Sequence, residues 1–392
     1  MKATAEQAEA IKSSFLAMRT KKDLVKLLSL AKQVMYGKKA TPVVLKSLNY
    51  YANPNFCTYR YKKSTIKKKT GGDRIIHAPT SGLKSILQAL NLVLQVMYHP
   101  HAAATGFVPE KSIVDNARKH VGHNYVYNLD LKDFFHSFDR NWVKLGFMYK
   151  PFNLRDEREP LAFLLASLCT HPLELDGIIS TVLPQGAPTS PTITNLLCKQ
   201  LDRRLTGLAN RFGVTYTRYA DDITFSSPHN VYGQDAFQQE LKRLIEDDQK
   251  LVINPKKTRL QRAAFRQETT GLIVNEKVNV RRRYVKQLRM QLHFWERYGY
   301  DRAEEIFRRD YLTDKGHLVK VVPDMINVLE GKLEFLKMVR GVEDGTYNGL
   351  LSRFEKLFEK IDPLTKVLDV WEGDGIDEAM IMYNKQKPKS NG

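Results

Sequence analysis

The chain has 392 residues, of which 42% are hydrophobic, so it is long and apolar enough for two or three folded domains. Its 62 Lys and Arg residues against 43 Asp and Glu residues give a formal charge of +19, which indicates a nucleic-acid partner, because basic surface releases condensed counterions when it binds one. No apolar run approaches the roughly 20 residues of a membrane span, and Met1 to Gln7 lack a secretory core, so we expect a cytoplasmic protein without a membrane segment.

Two other classes of protein are disfavoured by the composition. A basic protein can bind a membrane surface, but no strongly amphipathic basic terminal helix is present. Cys57, Cys169 and Cys198 are odd in number and too scattered for a zinc site. We therefore expect reduced, buried thiols.

The chain begins with a helical region and continues with a basic hairpin. Within residues 1–50, Thr20 is placed to cap a helix that ends at Gly37. From Cys57, the segment CTYRYKKSTIKKKTGGDRIIHAP predicts two strands around a turn at residues 70–73. The densest basic patch of the chain lies here and consists of Lys62, Lys63, Lys67, Lys68, Lys69 and Arg74. A solvated edge strand protected by lysines is the alternative to a nucleic-acid contact.

A polar motif follows the helix predicted for Leu83 to Tyr98. In NARKH, Asn116 and His120 are one helical turn apart. Such a pair can form a polar helix face or a hydrogen-bonded structural pair, and both side chains can also donate to phosphates or base edges. The motif alone does not decide between these uses.

Carboxylates end one predicted strand and occupy one predicted hairpin turn. Tyr125 to Asp130 (YVYNLD) alternates like a strand and leads into LKDFFHSF, whose apolar residues recur at helical spacing. Asp130 is therefore predicted to lie where a strand passes into a helix. Further along, Val214 to Ser226 (VTYTRYADDITFS) predicts two strands joined by a turn that carries Asp221 and Asp222.

These three acids indicate a metal site. Adjacent carboxylates repel each other unless a cation lies between them, and their hard oxygens suit Mg²⁺. An ordinary polar turn is the alternative. With Asp130, the pair at residues 221–222 supplies three acids from two segments, the minimum for a two-metal phosphoryl-transfer site. Between them, the prolines and glycine of LPQGAPTSPTITNLL predict an irregular loop that can expose backbone to a ligand, followed by a helix.

The rest of the chain is predicted to be mainly helical. Gln238 to Gln249 has the pattern of an amphipathic helix. After residue 280, one helix is predicted to follow Arg281 through residue 310, a second covers Val322 to Val339, and a third ends at Ile361. The final residues, 384–392, have a composition typical of disorder.

Three motifs carry a resemblance to a known family. NLDLKDFF, LPQGAPTSP and YADD, in this order, resemble the palm motifs of reverse transcriptases, and together they are far more specific than any one alone. NARKH resembles the NAxxH element of retron reverse transcriptases, and residues 269–271 (TTG) resemble their VTG element, with Thr269 in place of Val. The resemblance covers roughly residues 55–345.

The resemblance implies an α+β fold, that of a right-hand polymerase with fingers, a palm built on an antiparallel ferredoxin-like sheet, and a helical thumb. Residues 1–50 would be an N-terminal helical extension, and residues 51–280 the fingers and palm. Residues 281–365 would form a three-helix thumb that grips a duplex by shape and charge. Residues 366–392 would be a partly disordered tail.

It also implies roles for individual residues. Asp130, Asp221 and Asp222, with the backbone carbonyl of Leu131, would hold two Mg²⁺ ions that activate a primer hydroxyl and neutralise the leaving pyrophosphate.

Four residues are expected to contact the nucleotide. Arg74 would bind the triphosphate with its forked donors, and Gln185 lies in the loop that contacts nucleotide and template. Phe135 would lie under the sugar and exclude a 2′-hydroxyl, although it could be one of several core phenylalanines. Lys257 would act as a general acid for pyrophosphate, with an exposed lysine in a basic loop as the alternative.

The retron elements are expected to face RNA. We interpret Asn116 and His120 as part of an RNA-facing or palm-supporting surface, and Thr270 and Gly271 as part of an RNA-binding element that adjoins the primer grip.

The function that this resemblance implies is that of a retron reverse transcriptase. Such an enzyme copies a structured noncoding RNA from deoxynucleotides, is primed by an internal guanosine 2′-hydroxyl, and leaves a branched RNA–DNA product (msDNA). That product would associate with the enzyme and an effector protein in antiphage defence.

Two alternatives stay open. One is a reverse transcriptase of the group II intron, diversity-generating or abortive-infection type; NARKH with TTG, and the lack of a maturase-like or endonuclease segment, argue against it. The other is a catalytically silent RNA-binding scaffold, against which the three intact acids argue.

Overall fold

The computed structural model describes residues 3–67, 72–175, 177–315, 321–361 and 363–386. The chain forms two compact units, residues 1–277 and residues 278–392. The first unit mixes helices with antiparallel strands, whereas the second is helical throughout its described part. None of the helices in these ranges is both long and apolar enough to cross a membrane. The three cysteines are free and buried, as predicted.

The first unit begins with three helices that belong to its core. In chain order these are α1 (Ala5–Ala17), α2 (Lys21–Tyr36) and α3 (Leu45–Ala52). As predicted, the side chain of Thr20 accepts the backbone N–H of Asp23, and Gly37 with a φ of 85° ends α2. Phe15 and Leu27 are fully buried in the same hydrophobic core as the rest of the unit. The N-terminal helices are therefore packed on this unit rather than detached from it.

In the described residues, three two-stranded hairpins and seven α-helices complete the first unit around its central sheet. The elements are β1 (Tyr61–Lys67), β2 (Asp73–Pro79), α4 (Ser81–Met97), α5 (Ile113–Arg118), β3 (Tyr125–Asp130), α6 (Arg140–Met148), α7 (Glu159–Cys169), β4 (His171–Leu175), β5 (Ile178–Val182), α8 (Ser190–Leu197), α9 (Lys199–Arg211), β6 (Thr215–Tyr219), β7 (Asp222–Ser227), α10 (Asp235–Lys242), β8 (Arg259–Arg262), β9 (Glu268–Thr269) and β10 (Leu272–Ile273). The predicted basic hairpin is confirmed as β1 and β2, while residues 68–71 of its turn, with Lys68 and Lys69, lie outside the described ranges. The helix predicted for Gln238 to Gln249 starts at Asp235 and passes into a short π-helical turn, Arg243–Asp247.

The central sheet has four antiparallel strands in the order β6-β7-β3-β8. Strand β7 separates β3 from β6, and β3 separates β7 from β8, so two split βαβ units interleave. This is the ferredoxin-like arrangement, and the predicted α+β fold is confirmed. Ile223 and Phe225 of β7 are fully buried, which fixes the register of the central strand.

The helix predicted for LKDFFHSF is wrong. Residues 132–137 form successive turns, and Asp133 has a φ of 46°, which a helix does not allow. Backbone pairing with other segments continues past the end of β3 despite the helical spacing of the apolar residues. The N–H groups of Leu131 and Lys132 donate to the carbonyls of Asp221 and Val252 at N···O distances of 3.1 and 2.8 Å.

The second unit consists of helices α11 (Arg282–Tyr298), α12 (Tyr300–Lys315), α13 (Met325–Arg340), α14 (Gly345–Ile361), α15 (Pro363–Asp374) and α16 (Ile376–Gln386). Its interior includes Leu288, Leu292, Leu329 and Leu336, all fully buried. The single helix predicted from Arg281 to residue 310 is wrong: Gly299, with a φ of 77°, ends α11 and separates it from α12. The described residues from 282 to 361 thus form four helices rather than three.

The tail predicted from residue 366 is helical as far as residue 386. Helices α15 and α16 pack on each other, and Val367 and Ala379 are buried. Acidic residues and glycines obscured the helical pattern in the sequence, and Gly375, with a φ of 100°, is the break between the two helices. Residues 387–392 lie outside the described part of the chain.

Gly186 is the position where the loop before α8 depends on the absence of a side chain. It has a φ of 121°, and a Cβ atom there would lie 2.8 Å from the carbonyl oxygen of His77 in β2. We predict that Gly186→Ala lowers the free energy of unfolding by about 1–3 kcal/mol, through backbone strain and overlap with β2.

Thermal unfolding measures this effect, with Gly207→Ala as the control. Gly207 lies within α9, and a Cβ atom there would meet no neighbouring side chain or segment within 4 Å, so alanine should stabilise the protein by about 0.5–1 kcal/mol. Equal melting temperatures for wild type and Gly186→Ala would contradict the close packing of the loop on β2.

Candidate active site

Three carboxylates lie together at one end of the central sheet. Asp130 is the last residue of β3 and pairs with Asp222, the first residue of β7. Asp221 occupies the two-residue turn between β6 and β7, after Ala220 with a φ of 57°. Asp221 is tied to β3 because its carbonyl accepts the N–H of Leu131. The structure thus brings the three predicted acids together from two chain segments.

The electrostatics of this end of the sheet favour a cation. Burial of one side of the Asp222 carboxylate, followed by the charges of Asp221 and Asp130, raises the pKa of Asp222 to about 6. The other side of this side chain stays exposed to water. Burial, followed by the charge of Asp130, also raises the pKa of Asp221. Lys257 and Arg74 act in the opposite direction on Asp221. The negative charge of this cluster is therefore only partly compensated.

Asp130 is already held by two side chains from the segment before β8. Lys257 Nζ donates to Asp130 Oδ1 at 2.8 Å, and Asn254 Nδ2 donates to Oδ2 at 3.0 Å. The backbone N–H of Asn254 also donates to the carbonyl of Asp130 at 2.8 Å. Lys257, expected to contact nucleotide, thus lies on a candidate metal ligand, and no sequence motif marks Asn254.

The residues fit a divalent cation in their chemistry rather than in a finished geometry. In the described residues, no three His, Cys, Asp or Glu side chains form a ready-made metal site. The pKa values of Asp221 and Asp222 are raised, and Asp130 is paired with Lys257. All three carboxylates nevertheless provide the hard oxygen donors that Mg²⁺ prefers. The contact between Lys257 and Asp130 would give way when Asp130 turns its oxygens to a metal.

Arg74 and the loop at residues 184–189 meet at strand β2. Arg74 is exposed on β2, and its charge reaches Asp221. Farther along β2, the N–H of His77 donates to the carbonyl of Gln185 at 2.8 Å. Arg74 therefore lies within electrostatic reach of the acids, and the loop that contains Gln185 is docked on the basic hairpin.

Phe135 belongs to a row of aromatic rings that reaches the acidic turn. Its ring centroid lies 6.4 Å from that of Phe107, which in turn lies 6.2 Å from that of Tyr219, next to the turn. Phe135 is half-buried, unlike the fully enclosed Phe138. Phe107, with a φ of 58°, was missed because no motif marks residues 101–107.

Asn116 and His120 are not RNA-facing, which corrects the RNA-binding assignment. Both side chains are buried. Asn116 Nδ2 donates to the hydroxyls of Thr105 and Thr217 at 2.7 and 3.0 Å. His120 Nε2 lies 2.6 Å from Thr217 Oγ1, and its Nδ1 lies 2.7 Å from Ser226 Oγ. The motif therefore links β6 and β7 through buried hydrogen bonds, which is the palm-supporting role.

The TTG element forms a tight turn that packs on α5. Thr270 and Gly271 have φ values of 51° and 84°, the left-handed pair that a two-residue hairpin between β9 and β10 requires. Thr270 Oγ1 lies 3.3 Å from the carbonyl of Ile113 in α5. Thr270 is thus half-buried against the start of α5, while Gly271 is exposed.

More than half of the chain matches a known protein family. A family model described as reverse transcriptase (RNA-dependent DNA polymerase) matches residues 66–287, more than half of the chain. The retron Mx65 reverse transcriptase of Myxococcus xanthus is 38% identical over 248 residues, which cover 59% of this chain and 55% of that protein. The retron Ec86 reverse transcriptase of Escherichia coli is 31% identical over 249 residues, which cover 60% of this chain and 70% of that protein.

The match is partial in length. The chain spans about half the length of the two Myxococcus xanthus relatives, 55% and 52%. Among solved structures, telomerase from Candida albicans, determined with a fragment of telomeric RNA, matches at 13% identity with a TM-score of 0.42, over 82% of this chain and 66% of that one.

The buried state of His120 predicts a dependence of stability on pH. Burial, then the charges of His123 and Lys119, lowers the pKa of His120 to about 3, so the folded protein keeps it neutral while the unfolded chain binds a proton below about pH 6.5. Its contribution to stability is therefore present above pH 6.5 and is lost as the pH falls from there towards 3, by about 1.4 kcal/mol per unit.

His120→Gln should remove this contribution. Melting curves of wild type and variant between pH 7.5 and 5 measure it: the wild type should lose stability more steeply than the variant as the pH falls. Parallel curves would show that His120 is not held neutral in the fold.

Proposed function

The chain belongs to the reverse transcriptase family and to its retron-type bacterial members, and on this premise we propose that it is an RNA-directed DNA polymerase of a retron. The observation that carries the proposal is the convergence of Asp130, Asp221 and Asp222 at one end of a ferredoxin-like sheet, within electrostatic reach of Arg74 and Lys257. Residues 51–280 would form the fingers and palm, and residues 281–365 the thumb.

In this proposal the three carboxylates, with the carbonyl of Leu131, hold two Mg²⁺ ions. When bound, the ions would activate the primer hydroxyl and neutralise charge on the leaving pyrophosphate. The protein contributes the fixed spacing of the acids, because Asp130 and Asp222 are neighbours in one register of β3 and β7. Lys257 compensates the charge of Asp130 in the absence of metal, and once released it could donate a proton to pyrophosphate.

The substrate is proposed to be a deoxynucleoside triphosphate paired to an RNA template. Arg74 is exposed and forms no ion pair among the described residues, so its guanidinium group is available to the triphosphate. Its charge also opposes the rise in the pKa of Asp221. The half-buried ring of Phe135 would lie under the sugar and exclude a 2′-hydroxyl. Gln185 would support the nucleotide or template through its loop, which is fixed on β2.

The partners proposed for the whole protein are those that the resemblance to retron reverse transcriptases implies. They are a structured noncoding RNA, primed from an internal 2′-hydroxyl, and the branched RNA–DNA product, which would act with an effector protein in antiphage defence in the cytoplasm. The net charge of +19 supports a polyanionic partner of this kind.

Asp221→Asn tests the proposed metal site. With an RNA template, a primer, Mg²⁺ and deoxynucleotides, we expect extension to fall by at least on the order of 100-fold, because the ions that stabilise the developing charge lose a carboxylate ligand. RNA binding should survive, because the variant keeps every Lys and Arg.

Asp133→Asn is the matched control. It removes the same charge from an exposed residue outside the acidic cluster. Asn tolerates the positive φ of this position, so the backbone should not change. Unchanged extension by Asp221→Asn would refute the metal-site assignment.

Phe135→Val tests the proposed sugar selection. Removing the ring should lower the preference for deoxynucleotides over ribonucleotides on the order of 10–100-fold, as the loss of one steric contact allows. Single-nucleotide incorporation with each triphosphate gives the ratio. Phe163→Val, at an exposed phenylalanine of α7, is the control. Equal ratios in wild type and Phe135→Val would assign Phe135 to packing alone.

A further inference from the structure

A buried ion pair lies directly behind the acidic turn. Arg218 is in β6, three residues before Asp221, and its side chain is fully buried. Its Nε and Nη2 atoms donate to Oδ1 and Oδ2 of Asp202 in α9, both at 2.7 Å. Two parallel charge-assisted bonds of this kind fix the plane of the guanidinium group. The sequence motifs mark neither residue.

The other donors of Arg218 reach the turn and α8. Its Nη1 donates to the carbonyl of Ala220 at 3.1 Å, and its Nη2 also donates to Asn195 Oδ1 at 3.1 Å. Ala220 has the left-handed φ of 57° and immediately precedes Asp221. Arg218 therefore bonds the residue whose backbone conformation determines where the acidic pair begins.

A third segment packs closely against the same turn. A Cβ atom on Gly106 would lie 2.6 Å from the backbone nitrogen of Ala220. The carbonyl of Gly106 accepts Asn195 Nδ2 at 2.9 Å, so the segment is linked to the partner of Arg218 in α8. The turn is thus in contact both with residues 103–106 and with a guanidinium group anchored on two helices.

The stability of the fold does not by itself require this pair. Removing two charges from water costs several kcal/mol per ion, and replacing a buried pair by apolar residues is often neutral or stabilising. What an apolar replacement cannot supply is a donor for the carbonyl of Ala220. We propose that Arg218, oriented by Asp202, is a positioning residue that holds the turn so that Asp221 and Asp222 can bind metal; the proposal rests on the polymerase function proposed above.

The double variant R218M/D202N separates positioning from stability. R218M alone leaves the carboxylate of Asp202 buried without its partner and should lower the melting temperature strongly. In R218M/D202N no charge remains, and the new amide oxygen can still accept the hydroxyl of Tyr216, which donates to Asp202 Oδ1 at 2.8 Å in the wild type. We expect the double variant to recover most of the lost melting temperature.

Metal binding in the recovered fold is the decisive readout. Mn²⁺ titration followed by electron paramagnetic resonance reports the affinity of the acids without requiring polymerase activity. We expect R218M/D202N to bind Mn²⁺ about tenfold or more weakly than the wild type and to need a correspondingly higher Mg²⁺ concentration for primer extension. R218K, which keeps the charge but not the fork, should show the same shift and serves if the double variant does not fold.

Tyr216→Phe is the control, because it removes a bond to the same carboxylate of Asp202 without touching the turn. It should lower the melting temperature modestly and leave the Mn²⁺ affinity unchanged. Wild-type Mn²⁺ affinity in a stable R218M/D202N or R218K would overturn the positioning role. Mn²⁺ binding by the wild type without primer extension would instead refute the proposed function, and the Mn²⁺ comparison would still decide the role of Arg218.

Discussion

The central constraint on this structure is that three carboxylates must lie side by side at one end of a sheet. Asp130 and Asp222 are neighbours across β3 and β7, and Asp221 lies in the adjoining turn. Partial burial, followed by the repulsion from the other two acids, raises the pKa of Asp222 to about 6, so the arrangement persists only because the surrounding fold imposes it. A site that holds repelling charges in place favours a cation, which would take the place of Lys257 at Asp130.

The fold meets this constraint through polar contacts on the inner side of the hairpin. Asn116 and His120 bond Thr217 and Ser226, which ties the two strands of the turn to the segment that contains α5. Arg218 bonds the turn itself. Residues 101–107, which carry no motif, take part in each contact region: they receive a bond from Asn116, press on the turn, and place a ring beside Phe135.

The sequence predicted those parts of the molecule that depend on local pattern. Alternation and turn residues were sufficient for the acidic hairpin, the basic hairpin and the caps of α2, since these are decided within a few residues. LKDFFHSF was mispredicted because its first residues form backbone hydrogen bonds with distant segments, Leu131 with Asp221 and Lys132 with Val252, which the local pattern does not reveal. The same limitation applies to Arg218 and Asp202: a charge pair between a strand and a helix has no signature along the chain. The burial of His120 likewise depends on Ser226, 106 residues away.

The most direct test of the retron assignment is the nucleic acid that accompanies the protein. The gene is expressed with its native flanking DNA, the protein is purified, and the bound material is treated separately with RNase and DNase, wild type beside Asp130→Asn. A retron polymerase predicts a short single-stranded DNA joined to RNA in the wild type and RNA alone in the variant. RNA without DNA in both samples would contradict the assignment.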